Sequence, residues 1–455
     1  SNRTEFTIVN TLNRSFGVNS PTQFYAGGYE ADQLVFNVSG VKQYEVGLAS
    51  PLNVAVGVEA RGEGYSIFAG EPMSYLTGPV NGTGGAQVFP GFQPSNEVDE
   101  DRTAIGAYVD LEANLTDKLL VAGALRVEEY SDFGNNLSGK IAARYDLADA
   151  FAVRGSVQSG FRAPSLQQQF FTATSTNFIS GIPFEIGTFP SQGAIGRALG
   201  GEALDAEEAV NYSLGAVVRL GGFNVTVDGY RINIDNRVVL SENITGAAAE
   251  AELRANGITN ANGGRYFLNG VDTETTGVDV IIDFGVDIEG AGRFDYTLGA
   301  NFNETEVTRL PAPFVTQTGA SFTRFGRVNT LTFEQGTPKD KYTANVNWTL
   351  GKFGATARAI RYGEVLSPGG SQAADLILKP KFLVDLEGRY NVTDGIVVSI
   401  GAENVFDEYP DANPTGLTLQ PGLTDLNTTG NTPFSNYSPF GRSGRYVYGR
   451  LAWNF

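Results

Sequence analysis

Apolar side chains return at every second residue along most of this sequence, and a period of two belongs to strands, not helices. Leu52, Val54, Val56 and Val58 interleave with Asn53, Ala55, Gly57 and Glu59, and Tyr212, Leu214, Ala216, Val218 and Leu220 with Ser213, Gly215 and Arg219. The same holds for Phe382, Val384, Leu386 and Tyr390 against Asp385, Glu387 and Arg389. One face of each segment is apolar and the other is wet. About sixteen such segments run from 4–12 to 445–455. One stretch reads as helix, 246–255, with Thr245 as N-cap and Asn256 and Gly257 as its stop.

The connections alternate in length. Tight turns at 116–118, 148–150, 221–222, 351–352 and 393–395 are separated by long loops at 69–101, 162–208, 239–269, 308–340 and 406–444. Short and long in turn means up-and-down antiparallel topology, with every tight turn on one rim and every long loop on the other. Tyr145, Phe151, Phe223, Trp348, Phe353, Tyr390 and Phe455 stand at strand ends on the tight-turn rim with the parity of the aliphatic residues, the pattern of an aromatic girdle at a membrane surface. The expected fold is all-β, an antiparallel up-and-down transmembrane β-barrel. Charged residues of the other parity, among them Arg126, Glu128, Lys140, Arg144, Arg154 and Arg219, are expected to face a polar lumen and pair across strands.

Composition narrows the function. The longest apolar stretch, near 119–125, is far short of the roughly 18 residues a spanning helix needs, so strands must carry any membrane role. The 455 residues include no His, which removes imidazole-based triads and metal sites, and no Cys, which removes disulfides and thiol chemistry. No enzymatic activity, catalytic residue, metal or cofactor is expected. A formal charge of -18 argues against a nucleic-acid partner. The acidic run Glu97, Asp99, Glu100 and Asp101 matches no calcium loop and reads as a solvated segment.

Three runs resemble one family. Gly160-Phe161-Arg162-Ala163-Pro164, followed by Ser165-Leu166, looks like the run that TonB-dependent outer-membrane receptors carry at the top of a mid-barrel strand. Ala402-Glu403-Asn404-Val405-Phe406-Asp407 is similar to their Asn-(Leu/Val)-Phe-Asp run near the end of the penultimate strand, and Tyr448 to Phe455 resembles their terminal strand, with Gly449 one position out of the usual spacing. The resemblance covers the whole chain. It implies a Gram-negative outer-membrane receptor that imports a scarce large solute, a siderophore, a cobalamin-like molecule or an oligosaccharide. Energy would come from the TonB-ExbB-ExbD complex through a plug inside a barrel of about 22 strands. Matched from its C-terminal end, the chain corresponds to the C-terminal part of such a barrel. The plug, a TonB box, a signal sequence and about six strands would lie outside it, on another chain or in unrecorded sequence. A passive porin-like channel is the alternative.

Candidate ligand contacts are the aromatics of the long loops, Tyr75, Phe89, Phe92, Phe170, Phe171, Phe178, Phe434 and Tyr437, together with Arg162 from the family-like run. Loop-to-loop packing is the other role open to these aromatics. The acidic balance leans against a highly anionic solute. Trp453 and Phe455, with Trp348, Phe353 and Tyr390, are expected to anchor the chain in outer-membrane lipid, and the terminal pair to serve insertion by the barrel assembly machinery.

Overall fold

In the computed structural model, residues 1–87, 89–179, 182–258, 261–316, 319–413 and 433–454 are described. Sixteen strands form one sheet in strict sequence order. They are β1 (Asn2–Val9), β2 (Gln23–Tyr44), β3 (Leu52–Phe68), β4 (Val98–Thr116), β5 (Leu119–Tyr130), β6 (Gly134–Ala148), β7 (Phe151–Arg162) and β8 (Glu207–Leu220), then β9 (Phe223–Leu240), β10 (Phe267–Ile288), β11 (Gly292–Arg309), β12 (Asp340–Leu350), β13 (Phe353–Tyr362), β14 (Lys381–Thr393), β15 (Ile396–Glu403) and β16 (Tyr446–Trp453). Every neighbouring pair is antiparallel. Tight turns at 117–118, 149–150, 221–222, 289–291, 351–352 and 394–395 share one rim with the connection at 45–51. At Gly221 and Gly222 both backbones are left-handed (φ 53° and 92°), as a two-residue hairpin turn between right-twisted strands requires. The long loops occupy the opposite rim, together with one short link at 131–133.

Register decides which side chains share a face. Val58, Ala107, Val127 and Leu137 fall in one ladder row across β3 to β6, on the outer face, and the three larger side chains are more than half exposed. The row next to it holds Glu59, Gly106 and Glu128, on the inner face. There Arg126 Nη2 donates to Glu128 (2.8 Å) and Glu59 (3.2 Å), Arg154 Nε to Asp228 (2.9 Å), and Arg358 Nε to Asp385 (2.8 Å). Arg450 pairs with Glu387 at 3.1 Å. Partly exposed pairs of this kind contribute only about 0–1 kcal/mol each. Their consequence is positional, because the charges stay off the face that meets hydrocarbon.

The girdle extends beyond the residues picked from sequence. Phe223 stacks on Phe284 (4.7 Å), Phe284 on Tyr296 (4.6 Å), and Phe353 lies 5.0 Å from Tyr390. Trp348 Nε1 donates to the carbonyl of Ala291 in the 289–291 turn (2.6 Å), fixing an amphipathic ring at the rim. Trp453 pairs in register with Ile396 and is exposed on the outer face, while Phe455 lies outside the described residues. Because the chain has no native cysteine, each introduced thiol is unique. A cysteine at Leu214 or Leu386 should resist a membrane-impermeant maleimide in intact outer membranes, whereas one at Asn53 or Glu387 should react. Equal labelling of the two sets would contradict the assignment of faces.

Two findings correct the helix reading. The expected helix exists as α1 (Ala247–Ala255), but Gly246 (φ 101°) and not Thr245 is its N-cap. It is also not alone, since α2 (Arg327–Gln335) lies in the 310–339 loop. The loops carry a second sheet of four short strands, in the order Ile244–Thr245, Gly263–Arg265, Ile182–Thr188 and Ala173–Ile179. Leu199, Ile244, Leu253, Tyr266, Val271 and Phe325 are buried together beside it. A single sheet with lipid on one side and a wet lumen on the other buries little, so the hydrophobic core sits in the loops above the rim.

Candidate functional site

The long-loop rim is built from two packed clusters. In the first, Phe92 is buried with Tyr65, Ile67, Leu166 and Ala173, and Phe89, Phe170 and Phe171 pack against them half-buried. Phe92 meets Phe89 edge-on at 5.3 Å and Phe171 at 6.3 Å. Four of the loop aromatics singled out from sequence are thus brought together, and they join the 69–97 loop to the 163–206 loop. Tyr75 ends a short helix, Pro72–Tyr75, and is half-buried. Phe434 stacks on Tyr409 at 5.8 Å, and the Tyr437 hydroxyl lies 2.7 Å from Thr332 Oγ1 of α2. Phe178 lies within the strand Ala173–Ile179, and its side chain is outside the described residues.

The Gly160 to Leu166 run has a structural account. Arg102 on β4 is almost wholly buried and donates from Nε to Glu63 (2.7 Å) and from Nη1 to the Pro164 carbonyl (2.7 Å) and Asp132 (3.4 Å). It also lies 5.3 Å from the Tyr130 ring. Ser165 Oγ then accepts from Gln168 N and starts the helix Leu166–Phe170 with a reciprocal capping box. The second run closes a different turn. Asn404 and Asp407 adopt left-handed backbones (φ 50° and 60°), residue types that tolerate them. The Asn404 side chain both donates to the Glu408 carbonyl (2.7 Å) and accepts from its amide (2.9 Å).

Helix α2 ties the remaining loops together. Glu242 accepts at its N-terminus from Gly326 N and Asn329 Nδ2, both at 2.9 Å, a carboxylate against the positive end of a helix. Arg327 donates to Asp375 (2.6 and 2.9 Å) and to the Gly369 carbonyl (2.7 Å), and its guanidinium holds the Asp375 carboxyl below the usual carboxylate range. Beneath the helix, Arg237 lies 4.8 Å from the Phe333 ring and donates to Thr273.

Arg162 faces inward at the top of β7, highly exposed, 3.7 Å from Glu207. Arg237 is half-buried within electrostatic reach of the same Glu207 and of Arg162, and its own contacts are Thr273 and the Phe333 ring. Two arginines thus stand near one another in a chain of net charge -18. Sequence reading picked Arg162 and missed Arg237, whose strand parity is broken by the bulge at Asn236. The acidic run spreads along the start of β4, so that Asp99 and Asp101 face away from Glu100.

A family model described as "TonB dependent receptor-like, beta-barrel" matches residues 2–405. The chain belongs to this family. Its members are non-enzymatic barrels of the Gram-negative outer membrane, which is where this sheet resides. The chain is similar to the "Probable TonB-dependent siderophore receptor PirA" of Acinetobacter baumannii, 23% identical over 330 residues, which are 68% of this chain and 39% of the relative. It is also similar to the "Ferric enterobactin receptor PirA" of Pseudomonas aeruginosa, 28% identical over 144 residues, 30% of this chain and 18% of the relative. Among solved structures it superposes on a mutant of the ferric enterobactin receptor PfeA of Pseudomonas aeruginosa with a TM-score of 0.65 at 13% identity, covering all of this chain and 58% of that one. The siderophore receptor PirA from Acinetobacter baumannii gives 0.60 at 16% identity, with 100% and 59% covered. This chain therefore spans less than two thirds of the length of each of these proteins.

Proposed function

We propose that this chain is the greater part of the barrel of an active importer whose ligand is an anionic ferric siderophore, taken up with energy from TonB-ExbB-ExbD through a plug. The carrying observation is Arg162, highly exposed on the inward side of the loop rim beside Glu207, with a second guanidinium, Arg237, within its electrostatic reach against the Phe333 ring. Guanidiniums and an aromatic face suit a chelate whose oxygens carry negative charge around aromatic rings. The names of the relatives point to the same class. The local charge outweighs the inference from overall acidity, because an ion at the rim meets nearby charges more strongly than screened distant ones. The half-buried Phe89, Phe170, Phe171, Phe434 and Tyr437 then hold the loops that frame the site, with Tyr75 at its margin. The proposal also includes further strands of the same barrel. Residues 32–44 of β2 pair only with β3 among the described residues, and an unpaired strand edge is not tolerated in hydrocarbon.

Ferric enterobactin supplies the test. Arg162→Ala and Arg237→Ala should each weaken its binding to cells by about tenfold or more, the worth of a charge-assisted hydrogen bond, with receptor abundance unchanged. Wild-type binding by both variants, with growth supported instead by a neutral oligosaccharide, would remove the siderophore reading and leave the barrel assignment standing.

A further inference from the structure

Following the outer face upward from the girdle, β13 presents Phe353, Ala355, Ala357, Ala359 and then Arg361. Eight residues at about 3.3 Å each, tilted by about 40°, rise about 20 Å, close to the height of an outer-membrane apolar band. Arg361 therefore stands at the headgroup level of the outer leaflet, on the lipid side of the wall. Its register row is Ala300, Tyr342, Arg361 and Phe382. The guanidinium is 5.4 Å from the Tyr342 ring, which in turn meets Phe302 edge-on at 5.5 Å. Asp340 takes one edge of the guanidinium, and its other donors have no protein acceptor among the described residues.

Below this row the wall is dented. Ala344 and Ala359 form the floor of a trough of about 290 Å³ between Leu298 and Ile282 on one side and Phe382 on the other. Water does not fill an apolar trough in hydrocarbon, so an acyl chain must lie there. A guanidinium already oriented by a carboxylate on one edge can present its other edge to a second oxyanion, and phosphate is the fitting one. We propose that Arg361 and the trough beneath it bind a phosphorylated glycolipid of the outer leaflet, with a phosphate on Arg361 and an acyl chain along the alanines of β13. The inference needs only the outer-membrane location and is independent of the transported ligand.

Native mass spectrometry of the receptor taken from outer membranes in mild detergent tests it. The wild type should keep a phosphorylated-glycolipid adduct. Arg361→Gln should reduce that adduct at least fivefold, and so should Ala359→Phe, which fills the trough and leaves the charge. Arg219→Gln, an inward arginine on β8, should keep it, and heat-modifiable mobility shows that each variant is folded. An adduct absent from the wild type, equal in all four proteins, lost equally in Arg219→Gln, or replaced by a second copy of the chain would overturn the proposal.

Discussion

Arg102→Ala should be the most damaging single substitution at the loop rim, with an expected cost of about 3–5 kcal/mol, the usual consequence of removing one partner from a buried ion pair. The side chain is only 5% exposed and joins β3 through Glu63, the 131–133 link through Asp132 and the 163–206 loop through the Pro164 carbonyl. Truncation leaves the Glu63 carboxylate with only Gln33 Nε2 (3.1 Å) and the Pro164 carbonyl with only a long bond from Gln169 Nε2 (3.4 Å), and the lost aromatic contact with Tyr130 adds to both. Arg102→Met with Glu63→Leu removes both charges and should recover much of the loss, because an uncompensated charge costs more than a missing pair. Urea titration of the membrane-inserted protein, read by heat-modifiable mobility, measures both variants. A midpoint for Arg102→Ala within about 0.5 kcal/mol of wild type, the range of an ordinary surface change, would show that the node holds nothing together.

The sheet was legible because strand parity is a local property. β3 and β13 alternate apolar with polar or small residues whatever surrounds them, and their ends coincide with the spans 52–68 and 353–362 that the alternation predicts. Legibility fails where the strands leave the membrane. The alternation begins at Asp32 and Thr273, but β2 starts at Gln23 and β10 at Phe267, since residues such as Tyr25, Ala26, Gly27 and Gly28 meet loops on one face and no longer need contrasting polarity. Helix α2 was hidden for a related reason. Its Val328, Thr330 and Thr332 are poor helix formers, and its anchors, Glu242, Asp375 and Tyr437, lie 84, 48 and 105 positions from their partners. Arg237 was missed because the bulge at Asn236 breaks the parity of β9, whereas Arg162 was found because its neighbours carry a family-like run.

Some of the 57 glycines have a mechanical role on the inner face, where long polar side chains reach over a glycine to a residue on the strand beyond. Arg154 crosses Gly215 to Asp228, and Tyr448 crosses Gly401 to Glu387. Tyr230 crosses Gly277, its direct partner on β10, to meet Asn301 of β11 at 3.3 Å. A Cβ on Gly277 would stand 2.3 Å from the Tyr230 hydroxyl, 2.4 Å from Cζ and 2.8 Å from the Phe302 carbonyl oxygen. The rigid ring must then leave, so Gly277→Ala should cost about 1–3 kcal/mol as an overpacked site does. Gly388 on β14 is the contrast, also mid-strand but with nothing within 4 Å of its would-be Cβ. Gly388→Ala should be neutral or slightly stabilising, because alanine loses less backbone freedom on folding. Adding Tyr230→Ala to Gly277→Ala should recover part of the loss and not all, since the Phe302 carbonyl stays close. Urea midpoints of the four proteins decide the matter, and a Gly277→Ala variant as stable as Gly388→Ala would show that the tyrosine does not depend on the glycine beneath it.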